Sequence, residues 1–207
     1  MTRVAQQGGL RRFARRPPPA EPEERCELCA RPVDAEHSHV VNMESRAILC
    51  ACRPCYLLFT HGAAGKYRAI PERYVHVPDL VGGAAWWESA GIPVRMAFVF
   101  TNSERGAPVA FYPSPAGATE CLLALESWGR LVTDNPALAD LEADVEALLV
   151  NVDEERFEGF LVPIDACYRL VGLVRLHWKG FDGGTEAWRE INAFFEDLRG
   201  RDSGRHG

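Results

Sequence analysis

Cys26-Glu27-Leu28-Cys29 and Cys52-Arg53-Pro54-Cys55 are the two stretches that organise this chain. Two residues between paired cysteines let both sulfurs converge from one tight backbone turn. Two such turns supply four thiolates, the donor set of a tetrahedral Zn²⁺. The 22 residues between the pairs match common zinc-module spacing. Within them, 40–43 and 47–49 read as strands around a turn at Glu44-Ser45-Arg46. Pro54 suits the first turn of a helix that continues into Tyr56-Leu57-Leu58-Phe59. A knuckle, a hairpin and a second pair opening a helix describe a treble-clef-like zinc module, with a zinc ribbon as the nearby alternative. About 35 residues cannot fold on apolar burial alone, so the metal expected on Cys26, Cys29, Cys52 and Cys55 is structural.

The surrounding cysteines leave alternatives open. Cys50 could replace Cys52, but is read as a buried spare. His37 and His39 could each be a fourth ligand, but are read as surface turn residues because four cysteines suffice. Iron is the competing metal, because thiolates hold iron too. Rubredoxin-like knuckles usually place Gly after each second cysteine, and here Ala30 and Tyr56 stand there. An odd total of seven cysteines is a poor disulfide framework. With no secretory apolar segment before the cluster, the expected compartment is the cytoplasm.

Outward from the module, composition sets the class. The 207 residues are 47% hydrophobic and 25% charged, the balance of a globular protein. The net charge of −6 argues against electrostatic capture of nucleic acid. No stretch reaches 18 apolar residues, so no membrane span is expected. Residues 1–25 form an Arg/Pro-rich tail, where six arginines against three glutamates give +3. That tail reads as disordered, as do residues 201–207. The zinc module covers 26–60, and an α+β domain covers 66–200.

In the latter, strands are expected at 67–77, 95–102, 109–113, 147–152 and 159–164. Hairpin turns are expected at Asn102-Ser103-Glu104-Arg105-Gly106 and Asp153-Glu154-Glu155-Arg156. Helices are expected at 84–90, at 119–133, from a cap at Asp165 to 178, and at 185–199. The expected fold is thus an antiparallel sheet with helices packed on one face, following the small module.

Few other motifs carry chemistry. Gly62-Ala63-Ala64-Gly65-Lys66 lacks the outer residues of a phosphate loop. Cys167 and His177 share one expected helix, and Cys167 reads as a core thiol. The stretch from Tyr112 to Glu120 reads as a strand-to-helix loop, a candidate anion site or a rigid turn. Trp178-Lys179-Gly180-Phe181 reads as an aromatic turn and a candidate contact patch.

The run from Cys26 to Phe59, the Tyr112–Glu120 loop with Phe111, and the segment from Leu161 to Gly172 together resemble a family of actinobacterial proteins with no assigned activity. Its members are typically encoded beside nickel–iron hydrogenase structural and maturation genes. The resemblance implies a role near hydrogenase assembly or electron transfer, with hydrogenase subunits or maturation factors as partners. It adds no catalytic residue and carries over only the cysteine pairs as metal ligands. The expected function is therefore a non-enzymatic zinc-binding accessory protein acting by docking. The alternative is a rubredoxin-like iron electron carrier, and an enzyme with its pocket at the Tyr112–Glu120 loop is the third reading.

Overall fold

The computed structural model describes residues 24–60, 65–92, 94–122, 125–153 and 156–201. The Arg/Pro-rich tail before residue 24, the C-terminal residues after 201 and most of the phosphate-loop fragment lie outside the described residues.

The chain builds an α+β fold on two antiparallel sheets. The smaller contains β1 (Ser38–Asn42), β2 (Ile48–Ala51) and β3 (Tyr67–Ala69), in the order β2-β1-β3. The larger has six strands: β4 (Val75–Val77), β5 (Met96–Asn102), β6 (Ala107–Ser114), β7 (Gly117–Cys121), β8 (Glu146–Val152) and β9 (Phe157–Pro163). Their order is β4-β9-β8-β5-β6-β7. Both expected hairpins form, with Asn102 opposite Ala107 and Val152 opposite Phe157. Asn102 Oδ1 accepts the N–H groups of Glu104 and Arg105, which closes the first of them.

Helices cover both faces of the large sheet, where one covered face was expected. On one face, α4 (Ile164–His177) and α5 (Gly184–Gly200) pack on Met96, Phe98, Phe100, Leu149, Phe160 and Val162. On the other, Trp86 of α2 (Gly83–Ala90) and Trp128 and Leu131 of α3 (Leu125–Asp134) pack on Val99, Leu148, Val150 and Leu161. The cause is visible in β5, where 96–100 is apolar at every position. A strand sends alternate side chains to opposite faces, so a continuous apolar run requires cover on both. Gly83 permits the closest approach on this second face, because a Cβ there would lie 2.3 Å from the Phe157 ring.

Three expected elements change. The strand expected at 67–77 divides between the two sheets. Ile70 still donates to the His39 carbonyl, but Pro71 has no N–H to continue the ladder, and the chain crosses over before β4. The helix expected from residue 119 begins only at Leu125, because Gly117–Cys121 returns along β6 as β7. Asp165 does not cap α4. The capping position is Pro163, without a side-chain cap, and Asp165 instead reaches His39. The buried stripe of α4 runs through Ile164, Cys167, Leu170, Val171 and Val174, leaving Tyr168 exposed.

The small sheet is fixed to this body on one side. Val41 and Ile70 join the core under α4 and α5, with Met43 and Ile48 packed against it. Arg46, in the β1–β2 turn, donates to the buried Asp144 carboxylate at 2.7 Å, and Arg68 donates to the Ala143 carbonyl at 2.8 Å. The other side of the small sheet packs around Val40, Ala51, Tyr56 and Ala69, a small buried cluster among the described residues.

Candidate metal centre

The four sulfurs expected to bind metal come together: donor atoms of Cys26, Cys29, Cys52 and Cys55 all lie within 4.8 Å of one another. Cys29 Sγ and Cys52 Sγ are 3.6 Å apart. Tetrahedral sulfurs about 2.3 Å from a zinc ion would stand about 3.8 Å apart, so the spacing fits.

Each pair is shaped differently. The first is a miniature hairpin in which Cys26 N–H donates to the Arg31 carbonyl at 2.8 Å and Ala30 N–H to the Cys26 carbonyl at 2.7 Å. Arg25 and Pro32 bridge its base, and the Arg25 guanidinium holds the Ala30 carbonyl. Ala30 has φ of 59°, the left-handed conformation that glycine adopts most easily. The knuckle backbone therefore forms despite the missing glycine. The second pair opens α1 (Arg53–Leu57), with Cys52 at its N-cap, Pro54 in its first turn and Tyr56 N–H bonded to the Cys52 carbonyl. Arg53 turns away from the sulfurs, pairing with Glu72 at 2.9 Å and lying over the Tyr56 ring.

The electrostatics match a cation site. Burial pushes the Cys26 thiol up, but N–H groups of Cys52, Leu28 and Cys29 and the Cys29 side chain more than offset it, lowering its pKa to about 6. Cys55 is pushed up to about 12, first by burial and then by hydrogen bonding to Cys29, Cys52 and Cys26. The Cys26 thiolate is thus favoured at the expense of Cys55, because a second anion beside the first is disfavoured. A divalent cation removes that conflict. All seven cysteines are free thiols, so none of these sulfurs is spent in a disulfide.

Other expected features find different places. Cys50 is outside the four-sulfur group and lies opposite His39 in the β1–β2 ladder. His37 and His39, read as surface turn residues, are not: His39 is in β1, and the His37 side chain is only 9% exposed. The sequence signal was the His-Ser-His alternation, which places both imidazoles on one face once β1 is extended back by one residue. The stretch from Tyr112 to Glu120 is a β-hairpin, with Ser114 Oγ bonded to the Gly117 carbonyl and to Thr119 Oγ1. No helix begins there, so the anion-site reading loses its physical basis. Cys167 is fully buried with its thiol pushed up by burial, while His177 faces Glu186 at 3.3 Å; the two form no catalytic pair.

Comparison with known proteins adds a grouping. A profile described as "Family of unknown function (DUF5947)" matches residues 25–202, nearly the whole described chain and both cysteine pairs. The chain belongs to this family. No curated protein and no solved structure matches it.

Proposed function

We propose that this member of the family is a zinc-binding accessory protein of a nickel–iron hydrogenase system, acting by docking to hydrogenase subunits or maturation factors rather than by catalysis. The observation that carries the metal role is the convergence of four sulfurs from two short turns. An ion held there has all four tetrahedral positions filled by protein and none open to substrate, the arrangement of a structural site. The knuckle, the β1–β2 hairpin and the second pair at the start of α1 support a treble-clef-like description. The hydrogenase link is carried by the resemblance of the quoted segments. Docking is supported by Phe181, which stands wholly exposed in the turn between α4 and α5, and by exposed Leu176 in the last turn of α4. Reduced thiols are required for the site, which supports a cytoplasmic setting for the working protein.

The iron reading gains one point and loses another. The left-handed Ala30 restores the knuckle shape expected of rubredoxin-like sites, while Tyr56 belongs to a helical turn rather than a second knuckle. Colour separates the two metals, because Zn²⁺ is d¹⁰ and a ferric thiolate centre is red. For function, the test is deletion of the gene with hydrogenase activity as readout, followed by pull-down with tagged protein. Lost activity and recovery of a hydrogenase component are expected. Unchanged activity without such a partner would sink the proposal.

A further inference from the structure

Beyond the four-sulfur site, the other face of the β1–β2 hairpin carries His37, His39 and Cys50. A donor atom from each lies within 4.8 Å of the others. The register explains why. His39 and Cys50 are direct cross-strand partners, and His37 lies two residues before His39, on the same face. This face is the one turned toward α4.

The hydrogen bonds around the imidazoles resolve which atoms are left for a ligand. His37 Nδ1 is 2.8 Å from the Asp34 carbonyl, which can only accept, so Nδ1 carries the proton. In the neutral ring, Nε2 is then a lone pair. It is buried and without a hydrogen-bond partner among the described residues, on a side chain more than nine-tenths buried. His39 Nδ1 is likewise committed, at 2.8 Å from Asp165 Oδ2. In both rings Nδ1 is held, by a backbone carbonyl for His37 and by a carboxylate for His39, which leaves Nε2 as the remaining ligand atom, the pattern of partners found around metal-binding histidines. The rings are 4.7 Å apart, a separation at which two imidazolium charges would repel. Cys50 is held from both sides by Glu27: its carbonyl accepts the Glu27 N–H at 2.9 Å, and its N–H donates to Glu27 Oε2 at 2.7 Å.

We propose that His37 Nε2, His39 Nε2 and Cys50 Sγ form a second transition-metal site, distinct from the four-cysteine centre and suited to Zn²⁺. Its donor set is two imidazoles and one thiolate. Tetrahedral donors of this kind stand roughly 3.3–3.8 Å apart, so side-chain rotation closes the site around the ion. Three protein donors leave the fourth position to an exchangeable ligand such as water, the count found in reactive rather than structural zinc sites. His39 and Cys50 are only partly buried, so that position is reachable from solvent. Because Glu27 belongs to the first knuckle, the four-cysteine turn also sets the position of Cys50.

The test uses the full chain, saturated with Zn²⁺ under reducing conditions, desalted, and assayed for zinc per protein. Two ions per chain are expected in the wild type, and one in Cys50→Ser and in His37→Ala, with circular dichroism unchanged. The zinc K-edge spectrum of the wild type is the second measurement, and it does not depend on the variants folding. Nitrogen scattering from imidazole is expected beside sulfur. A sulfur-only shell, or a zinc content unaltered by Cys50→Ser, overturns the proposal.

Discussion

The two sheets of this molecule solve the same problem by different means. The six-stranded sheet is buried on both faces, with fully enclosed Phe98, Leu148, Leu149, Phe160 and Leu161 at its centre. The three-stranded sheet borrows one face from that core and, among the described residues, has an apolar cluster of four buried residues on the other. Apolar burial stabilises in proportion to area, so the large sheet carries itself while the small one needs cross-links. The buried charges differ too. Around the large sheet, Arg73 clamps Glu146 at 2.8 and 2.9 Å, and Arg199 clamps Glu158 at 3.0 and 2.6 Å. In the small module, the buried thiols of Cys26 and Cys52 have no such clamp, and a metal ion could take that role.

The largest effect should come from removing the metal ligands. Cys29→Ser, or chelation of the wild type, removes an ion whose binding to small modules is worth about 10–16 kcal/mol. Hydrogen exchange should show lost protection across 38–51 with protection retained across 96–100 and 146–163. Equal loss in both sheets would show that the two regions fold as one unit.

A core truncation should act in the opposite sense. Phe98 is stacked with Phe111 and Phe100 and is fully enclosed. Phe98→Ala should cost about 3–5 kcal/mol in denaturant unfolding, with metal content unchanged. Metal loss at ambient conditions in this variant would mean that the small sheet depends on the large one for its ligand geometry.

The Glu158 clamp tests the polar side of the comparison. Hydrogen bonds from Arg199 hold this carboxyl below its ordinary value of 4.5, against burial, with the charges of Arg199 and His76 assisting. Its folded pKa being depressed, its stabilisation is present above the unfolded value and is lost as pH falls through the folded one. Glu158→Gln should cost about 2–3 kcal/mol near neutrality and flatten the acid limb of stability against pH. An acid limb identical to wild type would assign it to other carboxylates.

The smallest effect concerns the knuckle. Ala30 holds a left-handed backbone that costs an L-residue about 1–2 kcal/mol. Ala30→Gly should stabilise the metal-loaded module by about 1 kcal/mol, read as a higher melting temperature of the small-sheet signal. A destabilised variant would show that the alanine methyl group has a packing role.

The sequence alone determined the parts governed by local geometry. Cys-x-x-Cys spacing fixes how two sulfurs meet above one turn, so the four-thiol group was legible without a structure. The turn Asn102-Ser103-Glu104-Arg105-Gly106 was legible for the same reason: left-handed residues and side-chain turns act within a few positions. Long-range pairing was not. Residue 119 looked helical because Leu122, Leu125 and Trp128 fit a 3.6-residue period, yet pairing with β6 took Gly117–Cys121 as a strand. Pro71 lay inside the single strand expected at 67–77, and only the tertiary structure showed that its two sides join different sheets. One covered face is the expectation from sequence; that the apolar run 96–100 is covered on both, and by which helices, depends on the strand order. Asp165 had the composition of a helix cap. Only the docking of the hairpin against α4 decided that its carboxylate serves His39, 126 residues earlier, because a hydrogen bond between distant segments exists only once packing has placed both ends.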